Sequence, residues 1–148
     1  MARILTAVAP DTEARVRRIL AGHDLIFVRE LEKAKVALAT NDIKLVFVGA
    51  RFDDSRMFDL LDYIRKDAEH KKIPIVAAIV ARTLLSAETA AGLSHTTKIF
   101  GASVFVNLND FSDNDTENLR IRLIVEAVLL PREVVPAAAQ KLTTPDAN

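Results

Sequence analysis

The chain has 148 residues, of which 50% are hydrophobic and 27% are charged, a balance typical of one compact domain with a sizeable apolar core. Lysine plus arginine and aspartate plus glutamate number 20 each, so no net charge favours binding to nucleic acid or to an anionic membrane. The chain has no cysteine, which excludes disulfides, thiolate metal sites and a thiol nucleophile.

Apolar runs alternate with helical patterns from the beginning of the chain. Asp11 can cap the free backbone N–H groups at the start of a first helix, and Gly22 suits the end of that helix. The predicted elements of this part are a strand at residues 4–9, a helix at 10–22, a strand at 25–28 and a helix at 30–40.

The stretch from Lys44 to Arg65 predicts the central unit of the fold. Residues 45–48 form an unbroken apolar run, which is typical of a strand buried on both faces. Gly49 ends that strand, and a polar loop follows. A helix comes next, because apolar residues recur at helical spacing: Phe58, Leu61 and Ile64. The crest between strand and helix is where α/β sheets usually bind their ligands.

The alternation continues beyond this unit. Residues 73–80 and 103–108 predict two further strands. Residues 82–100 favour a helix, although Gly92 and the polar run at 94–97 weaken the pattern.

A last helix is expected to begin at a cap formed by Asp115 or Thr116. One of its faces carries a row of apolar residues: Leu119, Leu123, Ala127 and Leu130. From Pro131 onward the composition suggests a poorly ordered end, so we expect a domain over residues 1–130 and a flexible tail over 131–148. Five strands alternating with helices indicate an α/β fold with a parallel sheet, helices on both faces and right-handed crossovers.

Three short segments at matched separations resemble the receiver domain of response regulators. They are FDLLDYIR at residues 58–65, IPIV at residues 73–76, and Gly101 with Ala102. The likeness covers about residues 2–130 and implies a flavodoxin-like (βα)5 fold with strand order 2-1-3-4-5. The interval between the second and third segments is longer than receivers usually show, which implies an insertion near the fourth helix.

A receiver that is switched by phosphorylation uses five side chains at the carboxyl end of its sheet. An aspartate after the third strand accepts the phosphoryl group, two acidic residues after the first strand hold a divalent metal, and a hydroxyl and a lysine bind the phosphoryl oxygens. In the same order, these positions fall on Gly49, Val8 with Ala9, Ile79 and Leu108. The resemblance therefore implies a degenerate pseudo-receiver without a phosphoacceptor aspartate, which is not an enzyme and has neither cofactor nor metal site.

Other carboxylates offer alternatives to this interpretation. Asp53 and Asp54 follow Gly49 on the same loop and could serve as displaced acceptors, but we favour a role at the start of the third helix. A calcium site is suggested by four acidic residues near the last helix, Asp110, Asp113, Asp115 and Glu117. The EF-hand glycine and bidentate glutamate are absent, so an acidic first helical turn is favoured. We interpret the three widely spaced histidines, His23, His70 and His95, as surface residues.

Two features point to a protein partner. Phe105 matches the aromatic position that in receivers couples phosphorylation to the surface of the fourth helix, fifth strand and fifth helix; a core position is the equal alternative. Arg15 and Arg18 give the first helix a basic side, which is either a partner-binding patch or an ordinary solvated face.

The resulting hypothesis is a non-catalytic module that binds a protein partner in two-component-type signalling or protein localisation. The resemblance to receivers also implies a homodimer as an alternative. A second hypothesis is a small-ligand-binding module that uses the crevice at the carboxyl end of the sheet. No apolar run approaches the roughly 20 residues that span a bilayer, and the run after Met1 is too short for a signal-peptide core. We therefore expect a cytoplasmic protein that binds neither membrane nor nucleic acid.

Overall fold

A computed structural model of the chain describes residues 2–79 and 86–130. The strands are β1 (Arg3–Ala7), β2 (Asp24–Val28), β3 (Leu45–Gly49), β4 (Ile75–Ile79) and β5 (Val104–Asn107). All neighbouring strands pair in parallel, and their order in the sheet is β2-β1-β3-β4-β5. The predicted flavodoxin-like fold, including its strand order, is confirmed.

In the described part of the chain, five helices connect and cover the strands. They are α1 (Glu13–Ile19), α2 (Leu31–Thr40), α3 (Met57–Lys66), α4 (Ala87–Ile99) and α5 (Asp115–Ala127), with short 3-10 helices at Pro10–Thr12 and Leu108–Asp110. One apolar core lies between the sheet and α1 with α5, and a second lies between the sheet and α2 with α3. Within residues 2–79 and 86–130, no helix is long and apolar enough to cross a membrane.

Strand β3 lies at the centre of the sheet and is buried on both faces. Leu45 and Phe47 belong to the core under α1 and α5, whereas Val46 and Val48 belong to the core under α2 and α3. This alternation is what a pleated strand with period two produces when no face meets solvent. The apolar run that predicted the strand therefore serves both cores.

The helix starts differ from the sequence prediction in two places. Asp11 does not cap α1, because the chain first forms a 3-10 helix there and no side chain caps either element. Asn114, and neither Asp115 nor Thr116, caps α5 by accepting a hydrogen bond from the Glu117 N–H at 2.8 Å. The acidic first turn of α5 is present as predicted.

Helix α4 is continuous where the sequence suggested a weak point. Ser86 caps it by accepting a hydrogen bond from the Thr89 N–H, and Thr96 donates its hydroxyl to the Gly92 carbonyl one turn earlier. The cap satisfies one of the free N–H groups at the start of the helix. Residues 80–85, where part of the implied insertion falls, and the predicted tail at 131–148 lie outside the described residues.

The face of α5 that packs on the core is not the face that carries its most regular row of apolar residues. The buried residues are Asn118, Ile121 and Val125, whereas Leu119 and Leu123 are exposed. Both sets have helical spacing, so periodicity alone did not distinguish them.

Arg65 and Gly101 join the end of α3 to the segment that enters β5. The Arg65 guanidinium donates hydrogen bonds to the carbonyls of Gly101, Lys71 and Ile73 at 2.6–3.0 Å. Gly101 has a φ of +104°, and a Cβ added there would lie 2.6 Å from Arg65 Nε. Burial lowers the pKa of Arg65 from its ordinary value.

We expect Gly101→Ala to lower the free energy of unfolding by about 1–3 kcal/mol, because it adds both backbone strain and a clash with a fixed guanidinium. Gly92→Ala is the matched control, since Gly92 lies in α4 and an added Cβ would meet open space beyond the backbone of its own helix. That control should raise stability by about 0.5–1 kcal/mol. Urea unfolding of both variants measures the difference, and equal effects of the two substitutions would contradict the proposed clash.

Candidate functional site

The carboxyl ends of β1, β3 and β4 meet the start of the 3-10 helix after β5 at a closed crevice. Its cavity measures only about 10 Å³ and is lined by Val8, Ala9, Thr12, Phe47, Gly49, Ala50, Arg51, Ala78 and Leu108. A cavity needs about 10–15 Å³ to hold a single water molecule. In the part of the chain that the structure describes, the crevice therefore has no room for a small organic ligand.

The structure brings together four of the five positions assigned from the receiver pattern. Val8, Ala9, Gly49 and Leu108 all line the cavity. Ile79 is the last residue of β4, one residue beyond Ala78, and is buried without lining the cavity. The register places Gly49 opposite Ala78 and Ile79 opposite Asn107. The hydrocarbon of the core thus continues to the crest of the sheet.

Gly49 has space for a small side chain. A Cβ built on it would lie 3.5 Å from Val8 Cγ1, which is an ordinary van der Waals distance. Its φ lies outside the left-handed region, so neither crowding nor backbone conformation requires glycine here.

One ion pair lies at the rim of the crevice, and the sequence analysis did not identify it. Arg51 Nη2 donates a hydrogen bond to Asp11 Oδ1 at 2.7 Å, which links the loop after β3 to the loop after β1. The two residues are 40 positions apart, so no local sequence signal could have paired them.

Asp53 has a structural role, but at a different helix from the one predicted. Its Oδ2 accepts a hydrogen bond from the Leu31 N–H at 2.7 Å, and it thereby caps α2 across the crest of the sheet. Asp53, Asp54 and Ser55 have φ values of 45°, 53° and 69°, a left-handed run that aspartate tolerates better than most residues. The loop is closed by a hydrogen bond from the Arg56 N–H to the Phe52 carbonyl.

The residues of the crevice do not fit the divalent metal that receivers hold. Val8 and Ala9 offer no side-chain oxygen, and Asp11 and Asp53 are already bonded to Arg51 and to the Leu31 N–H. Within residues 2–79 and 86–130, only one group of side chains brings three metal-ligand atoms together: Asp67, Glu69 and His70. It lies just after α3, at the opposite end of the sheet. The four acidic residues suggested for calcium form no such group.

Arg15 links α1 to the loop before α5 by hydrogen bonds. Its guanidinium donates hydrogen bonds to the carbonyls of Leu108, Phe111 and Ser112 at 2.8–3.2 Å, with a longer contact to Asn118 Oδ1. Burial lowers the pKa of Arg15 from its ordinary value. This geometry gives Arg15 a structural role, and its assignment to a partner-binding surface stays a prediction that these bonds disfavour.

Arg18 lies beside Arg15 but remains half exposed. It pairs with the carboxylate of Asp113, which also accepts a hydrogen bond from Asn118. The hydrogen bonds from Arg18 and Asn118 hold the pKa of Asp113 below its ordinary value, with a smaller contribution from the charge of Arg15. A partner-binding role for Arg18 stays a prediction.

Phe105 is half-buried and packs against the core under α2 and α3, opposite Ala77 of β4. Part of its ring therefore belongs to the core, and its partner-binding role stays a prediction. His23 is not the surface residue that we expected: its Nδ1 accepts a hydrogen bond from the Ala2 N–H, and its Nε2 lies 2.7 Å from Glu126 Oε2.

No model of a protein family matches the sequence, and no curated protein matches it either. Solved structures of response regulators share its fold. A response regulator from Hahella chejuensis is 23% identical, with a TM-score of 0.66 over 89% of this chain and 97% of that chain. The chemotaxis response regulator CheY4 of Vibrio cholerae is 16% identical, with a TM-score of 0.64 over 88% and 99%. The phosphorylated cyanobacterial phytochrome response regulator RcpA is 16% identical, with a TM-score of 0.60 over 86% and 90%.

We expect Gly49→Ala to raise the free energy of unfolding by about 0.5–1 kcal/mol, because alanine restricts the unfolded chain and fits the space beside Val8. Gly49→Asp should lower it by at least about 2 kcal/mol at neutral pH, because most of the lining is apolar and the Arg51 guanidinium already bonds to Asp11. The two substitutions share a backbone change and differ in charge. Denaturant unfolding checks both, and a Gly49→Asp variant as stable as Gly49→Ala would contradict the apolar character of the crevice.

The hydrogen bonds that Asp113 accepts from Arg18 and Asn118 should make the stability of the domain depend on pH. A carboxyl group has an unfolded-state pKa of about 3.9. Because the folded-state pKa of Asp113 is lower, the stabilisation is complete above the unfolded-state value and is lost as the pH falls through the folded-state value. The melting temperature should therefore fall more steeply below about pH 4 in the unsubstituted chain than in Asp113→Asn. Parallel curves for the two proteins would show that the network contributes nothing.

Proposed function

We propose that this chain is a receiver-like signalling module that acts by binding a protein partner and is not switched by aspartyl phosphorylation. The observation that carries the proposal is the identity of the residues around Gly49. At the crest where a phosphorylated receiver needs a nucleophile, oxygen ligands and a cation, this chain places glycine, valine, alanine and leucine around a cavity of about 10 Å³. The shared fold supports a signalling role, and the crevice supports a role without phosphoryl chemistry.

The chemistry of phosphoryl transfer explains why these apolar residues cannot form a phosphorylation site. The acceptor must attack the phosphorus atom while cations neutralise the charge that spreads over the phosphoryl oxygens. Glycine has no attacking atom, and hydrocarbon side chains cannot neutralise charge. The one cation that lines the crevice, among the described residues, is Arg51, and its guanidinium bonds to Asp11. We infer that residues 1–130 form the interaction domain and that its surface binds the partner.

A titration with beryllium trifluoride and Mg²⁺, a mimic of the acyl phosphate, tests the absence of phosphoryl chemistry. We expect the amide resonances of Gly49, Ala50 and Leu108 in the labelled full chain to stay unchanged at millimolar concentrations. Asp53→Asn and Asp54→Asn are the matched variants for the displaced-acceptor alternative. A saturable response that either variant abolishes would assign the acceptor to that residue and contradict the proposal.

Affinity capture from the native cell tests the interaction itself. We expect the full chain to retain a partner that Phe105→Leu releases, because leucine fills the core side of the position but removes the outer part of the ring. Val36→Thr is a suitable control, since Val36 is an exposed apolar residue on α2. Retention of the partner by the Phe105→Leu variant would exclude this surface and leave Arg18 as the candidate to substitute next.

A further inference from the structure

The turn that follows α3 brings together three side chains that carry metal-binding atoms: Asp67, Glu69 and His70. One carboxylate oxygen from each acid and one imidazole nitrogen all lie within 4.8 Å of one another. Asp67 and His70 are partly buried, with 26% and 15% of their side chains exposed, whereas Glu69 faces solvent. The turn lies at the end of the sheet opposite to the crevice, so the five positions of the receiver pattern do not include it.

The backbone of this turn is held by hydrogen bonds from inside and from outside. Inside it, the His70 N–H donates to the Asp67 carbonyl at 3.0 Å, and the Glu69 N–H donates to Asp67 Oδ1 at 3.0 Å. From outside, the Arg65 guanidinium donates to the Lys71 carbonyl at 2.7 Å. Donor atoms that are held in place before a ligand arrives lose less entropy when they bind it.

No lysine or arginine among the described residues neutralises the two carboxylates. The histidine is the one ionisable partner of Asp67 there, and Glu69 forms no ion pair. Lys66 pairs instead with Asp62 one turn earlier in α3 at 3.1 Å, and Arg65 donates to backbone carbonyls. Like charges this close repel each other, and a cation between them removes the repulsion.

We propose that Asp67, Glu69 and His70 form a binding site for a divalent transition metal ion, with Zn²⁺ as the best match. One imidazole and two carboxylates make a three-ligand set of the kind that zinc takes when its fourth position stays open to water. Mg²⁺ and Ca²⁺ prefer oxygen ligands, so the histidine distinguishes this site from the magnesium site of phosphorylated receivers. The proposal goes beyond the signalling role and does not depend on it.

The donor atoms need only small movements to bind an ion. Zinc lies about 2.0–2.2 Å from nitrogen and oxygen ligands, so the ligands of a tetrahedral ion are about 3.3–3.6 Å apart. A hydrogen bond joins His70 Nδ1 and Asp67 Oδ2 at 2.8 Å, and an ion that replaces it moves the two atoms apart by less than about 1 Å. Glu69 supplies the remaining adjustment through its exposed side chain. Its N–H still bonds to Asp67 Oδ1, which orients that carboxylate as the outer partners of metal ligands do.

The site opens to a groove between α2 and α3. Asp67 lines this groove, which has a volume of about 550 Å³. Water therefore has access to the fourth position of an ion that Asp67 holds. The same access predicts that an external chelator such as EDTA removes the ion without unfolding the domain.

Calorimetric titration of the metal-free full chain with Zn²⁺ tests the site. We expect one ion per chain, with an affinity that His70→Gln weakens at least about tenfold, because even indirect partners of metal ligands change metal affinity by about 10–100-fold. His95→Gln is the matched control: His95 is exposed on α4, and its substitution should leave the affinity unchanged. Equal effects of the two substitutions would show adventitious binding to surface histidines and overturn the proposal. Absence of binding up to millimolar Zn²⁺ would overturn it as well.

Glu69→Gln keeps the site testable if His70→Gln impairs folding, because the Glu69 side chain is exposed. This variant should also weaken Zn²⁺ binding at least about tenfold, and an unchanged affinity would contradict the proposed ligand set. In the labelled chain, Zn²⁺ should shift the amide resonances of Ala68 and His70 and leave that of Gly49 unchanged. An equally strong response of the turn to Mg²⁺ would exclude the histidine as a ligand and overturn the assignment. The beryllium trifluoride titration reports on the crest of the sheet, so the two proposals fail independently.

Discussion

The burial of β3 on both faces of the sheet is the constraint on which the rest of the structure depends. Its residues alternate between two cores, with Phe47 on the side of α1 and α5 and Val48 on the side of α2 and α3. A shift of one residue would exchange the two sets, so packing fixes the register of the strand. The same register delivers Gly49 to the crest, where Val8 and Leu108 extend the apolar core into the crevice.

Charged residues near the crest stabilise the architecture of this domain. Asp53 caps α2, Arg51 bonds to Asp11 at the rim, and Arg15 binds three carbonyls of the loop before α5. Partly buried polar groups are costly unless they are paired, and each of these pairings joins segments that are distant in the chain. These hydrogen bonds tie the loop after β3 to the segments that follow β1 and β2, and they tie α1 to the loop before α5.

Helix α5 illustrates how one element can serve two surfaces. Its buried side carries Ile121 and Val125, and the polar Asn118 is satisfied there by Arg15 and Asp113. The outward side is nearly as apolar as the inward side, which is uncommon for a helix that needs only one face for its core.

The sequence by itself determined the order of the elements, the parallel sheet and the apolar character of the crest, because hydrophobic periodicity and residue identity are local properties. It could not determine that Asp53 caps α2 instead of α3, since its partner Leu31 lies 22 residues earlier in the chain. Nor could it decide which apolar row of α5 faces inward. Both rows have helical spacing, and only the packing of the helix against the sheet and α1 turned Ile121 to the core and Leu123 to solvent.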